Sequence, residues 1–185
     1  MSRLIELTEV RYHKFDEATN KFPVGRRPML KRDYETQTCS IARSLEVVGE
    51  RWSLLILRSV FLGVHRFGDL LNELGIPRSV LAARLQRLVD EGVLERVPYQ
   101  QRPTRYEYRA TAKGHELWPV VLHLLRWGDA HYPEPAGVPR VVEHAGCGGR
   151  PDDHLLCDRC GEALTYFNTT ARPGPGLIAA GKAAE

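Results

Sequence analysis

The sequence predicts a mainly α-helical fold with a small β-hairpin and a short extension that contains cysteine and histidine. Three observations support this prediction. Apolar residues recur at helical spacing in several short segments between residues 39 and 132. Two stretches between residues 93 and 109 have the alternation that is typical of strands. Three of the four cysteines lie close together, after residue 146.

The composition indicates an ordinary globular protein. The 185 residues are 43% hydrophobic and 26% charged. There is neither an apolar run of about 18 residues nor a signal-peptide pattern, so we expect a cytoplasmic protein without a membrane partner. Cytoplasmic cysteines are expected to be reduced or bound to metal. The net charge of +3 is too small to indicate a nucleic-acid partner by itself.

Residues 1–38 are polar and mixed, and they predict an N-terminal arm that is either disordered or exchanged between the subunits of a dimer. Met29 is an alternative start of translation. Regular apolar spacing begins at Cys39. Two short helices meet near Gly49, and a third is predicted from about Arg66 to Leu74.

A fourth helix is predicted from Arg78 to Glu91, between Pro77 and the terminating Gly92. Its apolar stripe consists of Leu81, Leu85, Leu88 and Val89. The opposite side carries Ser79, Ala82, Ala83 and Gln86, with Arg78, Arg84 and Arg87 along its edges. Small residues permit close approach, Ser and Gln can hydrogen-bond base edges, and arginine suits phosphate or guanine. An ordinary surface helix is the alternative, so the neighbouring elements have to decide.

Those neighbours favour DNA binding. The third and fourth helices, joined by a turn that contains Gly75, have the outline of a helix-turn-helix. Strands are predicted over 93–97 and 104–109, with PYQQRP as the hairpin tip. The tip carries Arg102, flanked by Arg96 and Arg105. A hairpin in this position is a wing, so we predict a winged helix-turn-helix domain over residues 39–132.

One further helix is predicted from the N-cap Thr111 to about His131, with a kink at Pro119. It carries more apolar surface than a small winged domain can bury. We therefore expect it to form a dimer contact, either with the 39–48 helix or with the N-terminal arm.

Four motifs together resemble one family. They are CSIARSLEVVGERWSLLILRSVFLG, HRFGDLLNELGI, LAARLQRLVDEGVLERV and RPTRYEYRATAKGHELWPVVLHLLRWG, in this order. They are similar to the HxlR-type winged helix-turn-helix transcriptional regulators of bacteria. The resemblance implies a homodimer on a two-fold-related operator, with the Arg78–Glu91 helix in the major groove and the wing on a minor groove or on phosphates. Pro77 departs from the serine that is common in the family at this cap position.

On this resemblance, base-facing roles are expected for Arg78, Ser79, Ala82, Ala83 and Gln86. Phosphate contacts are expected for Arg84, Arg87, Arg102 and Arg105. We expect a repressor that responds to an unidentified small molecule or to a redox signal. The alternative is a redox or ligand sensor that acts mainly through protein contacts. We do not expect an enzyme, because the sequence has no paired carboxylates, nucleophile motif or phosphate loop.

The extension is divided into a linker over 133–143, a zinc-ribbon-like tail over 144–170 and a flexible end over 171–185. His144, Cys147, Cys157 and Cys160 have the pairwise spacing of zinc ligands. His154 is an alternative ligand, and free or redox-active thiols are the alternative to a metal site. Cys39 lies apart from these. Some HxlR-like regulators sense oxidants or electrophiles through a cysteine near this place, and a small buried residue at the dimer contact is the other interpretation.

Overall fold

Four helices and a β-hairpin form the first half of the described chain. The structure, a computed structural model, describes Tyr34 and residues 38–181, so the predicted N-terminal arm lies almost wholly outside the described residues. Residues 38–181 belong to one compact unit. Its first elements are α1 (Ser40–Val48), α2 (Ser53–Phe61), α3 (Phe67–Leu74), α4 (Arg78–Asp90), β1 (Leu94–Gln101) and β2 (Thr104–Ala110).

The predicted leucine stripe of α4 forms the centre of this half. Leu81, Leu85 and Leu88 are almost fully buried, and they pack with apolar residues of α2, α3 and the start of β1. Gly75 ends α3 in the left-handed conformation, with φ of 61°, which glycine adopts without strain. This turn joins α3 to α4, and it confirms the helix-turn-helix.

The wing is longer than the sequence predicts. β1 and β2 pair antiparallel from Leu94 opposite Ala110 to Gln101 opposite Thr104, so only Arg102 and Pro103 lie between the strands. The predicted tip over 98–103 is therefore wrong. Pro98 is tolerated because each strand of a two-stranded sheet has an edge that needs no partner. The register shifts between Pro98 and Gln100, which is typical of a β-bulge.

The predicted kinked helix is two helices, α5 (Ala112–His115) and α6 (Trp118–His131). Pro119 lies in the first turn of α6, where its missing N–H leaves no hydrogen bond unmade. It therefore follows a helix start and does not kink a continuous helix. The cap prediction is confirmed, since the Thr111 side chain accepts from the backbone N–H of Gly114 at 3.1 Å.

The extension has more regular structure than predicted. β3 (Arg140–His144) pairs antiparallel with β4 (Thr169–Pro173), and α7 (Pro175–Ala179) follows. The linker and flexible-end boundaries are therefore corrected. A Cβ at Gly174 would lie 2.2 Å from the Val138 carbonyl oxygen, so glycine serves close backbone approach in a segment whose composition indicates flexibility.

The extension packs against α6. Trp118 and Leu122 of α6 form a second small core with Cys157 and Leu164. Part of the apolar surface that was assigned to dimer contact is thus buried within the chain. None of the helices in the described residues is long and apolar enough to cross a membrane.

Candidate functional site

The exposed side of α4 carries the predicted base-reading residues. Arg78, Ser79, Ala82, Ala83 and Gln86 are all exposed, and Leu81 and Leu85 turn into the core. Arg87 is exposed on the same helix. The helix therefore presents small side chains flanked by arginines to the surface, where no other element in the described part of the chain buries them.

The polar side chains of this surface have weak partners within the chain. The Arg78 guanidinium carbon lies 5.0 Å from the Phe67 ring centroid. The Gln86 side chain donates to Asp90 at 2.6 Å and accepts from Arg96. Arg87 pairs with Glu91 at 3.1 Å. Such exposed pairs contribute about 0–1 kcal/mol each, so DNA can displace them at little cost.

Arg84 is the exception among the predicted residues. It is partly buried, and its Nη2 lies 3.0 Å from Glu50 Oε2 in the turn between α1 and α2. Its Nε is buried without a hydrogen-bond partner among the described residues. The guanidinium is therefore directed toward its own domain, where its ion pair connects α4 to the turn between α1 and α2.

The wing presents exposed arginines. The side chains of Arg102 and Arg105 are exposed and have no hydrogen bond or ion pair with any residue in the described part of the chain. The sequence predicts for Arg96 only a position beside the wing tip, yet its guanidinium donates a hydrogen bond to Gln86 and so connects β1 to α4. Lys113 is not among the residues predicted from the sequence, yet its Nζ donates to the Glu91 carbonyl at 2.6 Å, at the C-terminus of α4. Its position after the wing gave no local signal for that contact.

The structure brings together all four residues of the predicted metal site. The ligand atoms of His144, Cys147, Cys157 and Cys160 lie within 4.8 Å of one another. His144 Nδ1 lies 3.3 Å from the sulfurs of Cys147 and Cys160. Cys147 Sγ lies 3.4 Å from Cys157 Sγ and 3.6 Å from Cys160 Sγ. A tetrahedral site with metal–sulfur distances of about 2.3 Å places its ligand atoms roughly 3.5–3.8 Å apart.

The surroundings of the cluster also suit a metal ion. His144 is buried, and its Nε2 lies 3.4 Å from Glu162 Oε2, which is the carboxylate partner that metal-bound histidines commonly have. Burial raises the pKa of Cys157, but backbone N–H groups of Cys160 and Arg159 and the neighbouring thiols outweigh it and lower that pKa to about 6. A thiolate ligand is thereby favoured at neutral pH.

Glycines shape both halves of the cluster. Cys147 and Cys160 are each followed by a glycine with positive φ, Gly148 at 70° and Gly161 at 75°. A Cβ at Gly149 would lie 2.3 Å from the Cys157 sulfur. Two similar turns thus bring a ligand pair each to one point, and they leave no room for a further side chain at Gly149.

The other candidate residues lie outside this cluster. His154 is exposed and does not belong to the group of four. Cys39 is exposed, precedes α1 and is likewise absent from the group. The structure therefore selects one ligand set among the described residues and separates it from Cys39.

Exposed apolar residues remain on α1 and α6. Ile41, Leu45, Leu124 and Trp127 are exposed, and Trp127 is 54% exposed. Leu54 and Leu55 of α2 and Leu124 of α6 line one groove, whose lining also includes Arg58, Arg140 and Asp129. Exposed apolar residues of this kind are typical of interfaces between proteins, and the sequence predicts a dimer contact on these helices.

Comparisons with known proteins agree with this architecture. The family described as HxlR-like helix-turn-helix matches residues 47–135. An uncharacterized HTH-type transcriptional regulator of Mycobacterium tuberculosis is 49% identical over 140 residues, which cover 76% of this chain and 89% of the relative. The HTH-type transcriptional regulator YtfH of Escherichia coli is 34% identical over 103 residues, which cover 55% of this chain and 82% of YtfH.

One solved structure resembles most of the chain. PA1607, described as a candidate transcription factor, has a TM-score of 0.51 and 32% identity, and the match covers 77% of this chain and 89% of that one. The sequence identity to the mycobacterial relative extends over a longer segment than the family match. The chain belongs to the HxlR-like helix-turn-helix family of transcriptional regulators.

Proposed function

We propose that this regulator binds a two-fold-related DNA operator as a homodimer, with the exposed side of α4 in the major groove. The observation that carries the proposal is the continuous exposed surface of small residues between arginines, opposite a buried leucine stripe. An α-helix fits the major groove of B-DNA, and small residues at its contact surface let it approach the base edges. A purely structural surface helix gives no reason for this combination.

Each predicted DNA contact is assigned by position. Base-facing roles are proposed for Arg78, Ser79, Ala82, Ala83 and Gln86. Phosphate contacts are proposed for Arg87, Arg102 and Arg105. We leave Arg84 out of the phosphate-binding set, because its ion pair with Glu50 and its partial burial direct it to the protein interior.

The wing assignment is tested by the salt dependence of DNA binding. Arg102→Ala is expected to weaken binding to all sequences similarly and to reduce the slope of log K against log salt by about one unit. Arg172→Ala is the matched control, because it also removes one exposed arginine, but from β4 of the extension. Equal salt slopes for Arg102→Ala and wild type would show that the wing does not contact phosphate.

The base contacts proposed for α4 are tested by the sequence specificity of DNA binding. Arg78→Ala is expected to cost about 1–3 kcal/mol on the preferred operator and to relax the preference at one base pair. The operator is obtained by selection from random DNA, and affinities are compared at fixed salt. A uniform loss over all sequences would instead assign Arg78 to the phosphate backbone. Repression, as opposed to activation, stays a prediction that a reporter fused to this operator tests.

Dimerisation is proposed through the exposed apolar surface of α1 and α6. Two-fold symmetry would place two copies of α4 about 34 Å apart, which is one turn of DNA. Trp127→Glu introduces a charge on this surface and is expected to shift the mass in solution from dimer to monomer. Phe167→Glu is the control, since Phe167 is also exposed but belongs to the extension. A dimeric Trp127→Glu variant would exclude this surface.

For the four-residue cluster we propose a structural Zn²⁺. The donor set of one histidine and three cysteines, at the separations that tetrahedral coordination requires, supports zinc. Four protein ligands leave no open position for substrate, so a structural role is expected. Protein purified without chelator is expected to contain about one zinc per chain. Less than about half an equivalent, with thiols shown to be intact, would remove the site from the proposal.

Redox sensing through Cys39 stays a prediction. Its exposure makes it accessible to oxidants, whereas the three cluster cysteines are proposed to be metal-bound. Cys39→Ser protein that still releases DNA after oxidant treatment would exclude Cys39 as the sensor. If wild type and the Cys39→Ser variant both stay bound to DNA after oxidant treatment, redox control of DNA binding is excluded under those conditions.

A further inference from the structure

A cavity of about 80 Å³ lies where the extension meets the helix-turn-helix domain. Phe61 of α2, Trp118 and Leu122 of α6, Val142 of β3 and Tyr166 contribute to its mainly apolar lining. A single water needs about 10–15 Å³ of such space, so the cavity has room for about six waters or for a small organic molecule. Sequence patterns do not indicate this cavity, because its walls come from both halves of the chain.

Two arginines, Arg58 and Arg140, also line the cavity, and no acidic side chain does. Arg58 Nη2 lies 3.0 Å from Glu73 Oε1, but its Nε is buried and lacks a hydrogen-bond partner among the described residues. The Arg140 side chain makes no hydrogen bond or ion pair with any described residue. A buried donor without an acceptor costs free energy, and an anion in the cavity would supply the acceptor.

We propose that this cavity binds a small apolar monocarboxylate. A guanidinium matches the planar, two-oxygen geometry of a carboxylate. The apolar walls suit a hydrocarbon body, which inorganic anions lack. A compact aromatic or branched acid satisfies both requirements, since its charged end meets the arginines and its body fills the space between α2, α6 and β3.

The position of Arg58 suggests how such a ligand affects DNA binding, and this part rests on the proposed function. Arg58 belongs to α2, and Glu73 belongs to α3, the helix that precedes α4. Buried Ser59 also donates to Glu73 Oε1, at 3.1 Å. A carboxylate that competes with Glu73 for Arg58 weakens the connection between α2 and α3. The ligand is therefore expected to change the affinity for the operator.

Binding is tested first without DNA, by calorimetric titration of the full-length, zinc-loaded protein with benzoate. Benzyl alcohol serves as a probe of similar shape without charge. Benzoate is expected to bind saturably, and benzyl alcohol at least about tenfold more weakly, because it offers the guanidinium groups one neutral hydroxyl oxygen in place of two negatively charged carboxylate oxygens. Absence of benzoate binding, or equal affinity for both probes, overturns the proposal.

Three variants locate the site. Arg140→Gln is expected to weaken benzoate binding at least about tenfold. Arg172→Gln removes an arginine from the same pair of strands. Arg172 is paired with Val141, the neighbour of Arg140, so its side chain lies on the opposite face of the sheet from Arg140, where it forms an ion pair with Glu143. It is expected to bind like wild type. Ala171→Phe places a ring in the cavity and is expected to abolish binding of both probes, while zinc content reports that the extension is intact.

The DNA experiment separates this inference from the proposed function. Benzoate at saturating concentration is expected to change the operator affinity of wild type and to have no effect on Ala171→Phe. Binding of benzoate without any change in operator affinity overturns the effector role. A chain that binds benzoate but no DNA overturns the proposed function and leaves the site in place, whereas DNA binding without benzoate binding overturns the site alone.

Discussion

Gly149→Ala tests whether the extension is held together by a metal. The added Cβ would lie 2.3 Å from Cys157 Sγ and 2.8 Å from Arg159 Cβ. Since carbon atoms and sulfur normally stay more than about 3.5 Å apart, the sulfur has to move by about 1 Å or more. A zinc–sulfur bond tolerates deviations of only about 0.2 Å. The substitution is therefore expected to remove Cys157 from the coordination sphere.

The expected loss of zinc affinity follows from the number of ligands. Structural zinc binding contributes about 10–16 kcal/mol in zinc-finger peptides, so one ligand of four corresponds to roughly 3 kcal/mol. That is a loss of affinity of about 100-fold or more. The second core loses packing as well, because Cys157 belongs to the same buried cluster as Trp118 and Leu122 of α6.

Competition with a chromophoric chelator measures the zinc affinity directly. Gly128→Ala is the control, since it makes the same chemical change on α6, where the new Cβ would have no described atom within 4 Å apart from its chain neighbours and its own helix backbone. Gly146→Ala is expected to give an intermediate effect, because its Cβ would lie 3.2 Å from His144 Cε1. Wild-type affinity in Gly149→Ala would refute the described arrangement of the cluster.

Further predictions concern α4 and the extension. Leu85→Ala, at a site that is 1% exposed, is expected to cost about 3–5 kcal/mol in urea unfolding, and a loss below about 1 kcal/mol would contradict its place in the core. Ala82→Glu is expected to change stability by less than about 0.5 kcal/mol yet to weaken DNA binding at least about tenfold, since it places a carboxylate near phosphates. Backbone N–H groups of Leu156 and His154 lower the pKa of Asp152 from 3.8. Its stabilisation is therefore complete above about pH 4 and is lost as the pH falls through the lowered value, and Asp152→Asn is expected to flatten this acid dependence in unfolding curves.

Several features followed from the sequence because they depend on local spacing. The leucines of α4 share one face because of helix periodicity, wherever the helix lies in the fold. Their burial confirmed that this face is directed to the core. The turn at Gly75 follows from the need for positive φ after α3. The similar spacing in H-x-x-C and C-x-x-C predicted two ligand pairs, and the structure brings them to one point.

Local patterns misjudged the places where distant segments stabilise one another. The glycines and prolines near residue 174 indicate a flexible end, but they permit close backbone contact beside the β3–β4 pair. The surplus apolar surface of α6 indicated a dimer, and part of it is buried by the extension. The periodicity of one segment does not show which distant segment packs against it.

Local sequence patterns were sufficient to predict the helix-turn-helix, the presence of a wing, the exposed face of α4 and the four potential ligands. The contacts between these elements became apparent only in the folded chain. Arg84 forms an ion pair with Glu50, and Arg58 and Arg140 line one cavity although they are far apart in the sequence. The reason is physical: helix and strand periodicity depend on backbone geometry within a few residues, whereas ion pairs and cavities depend on how whole elements pack.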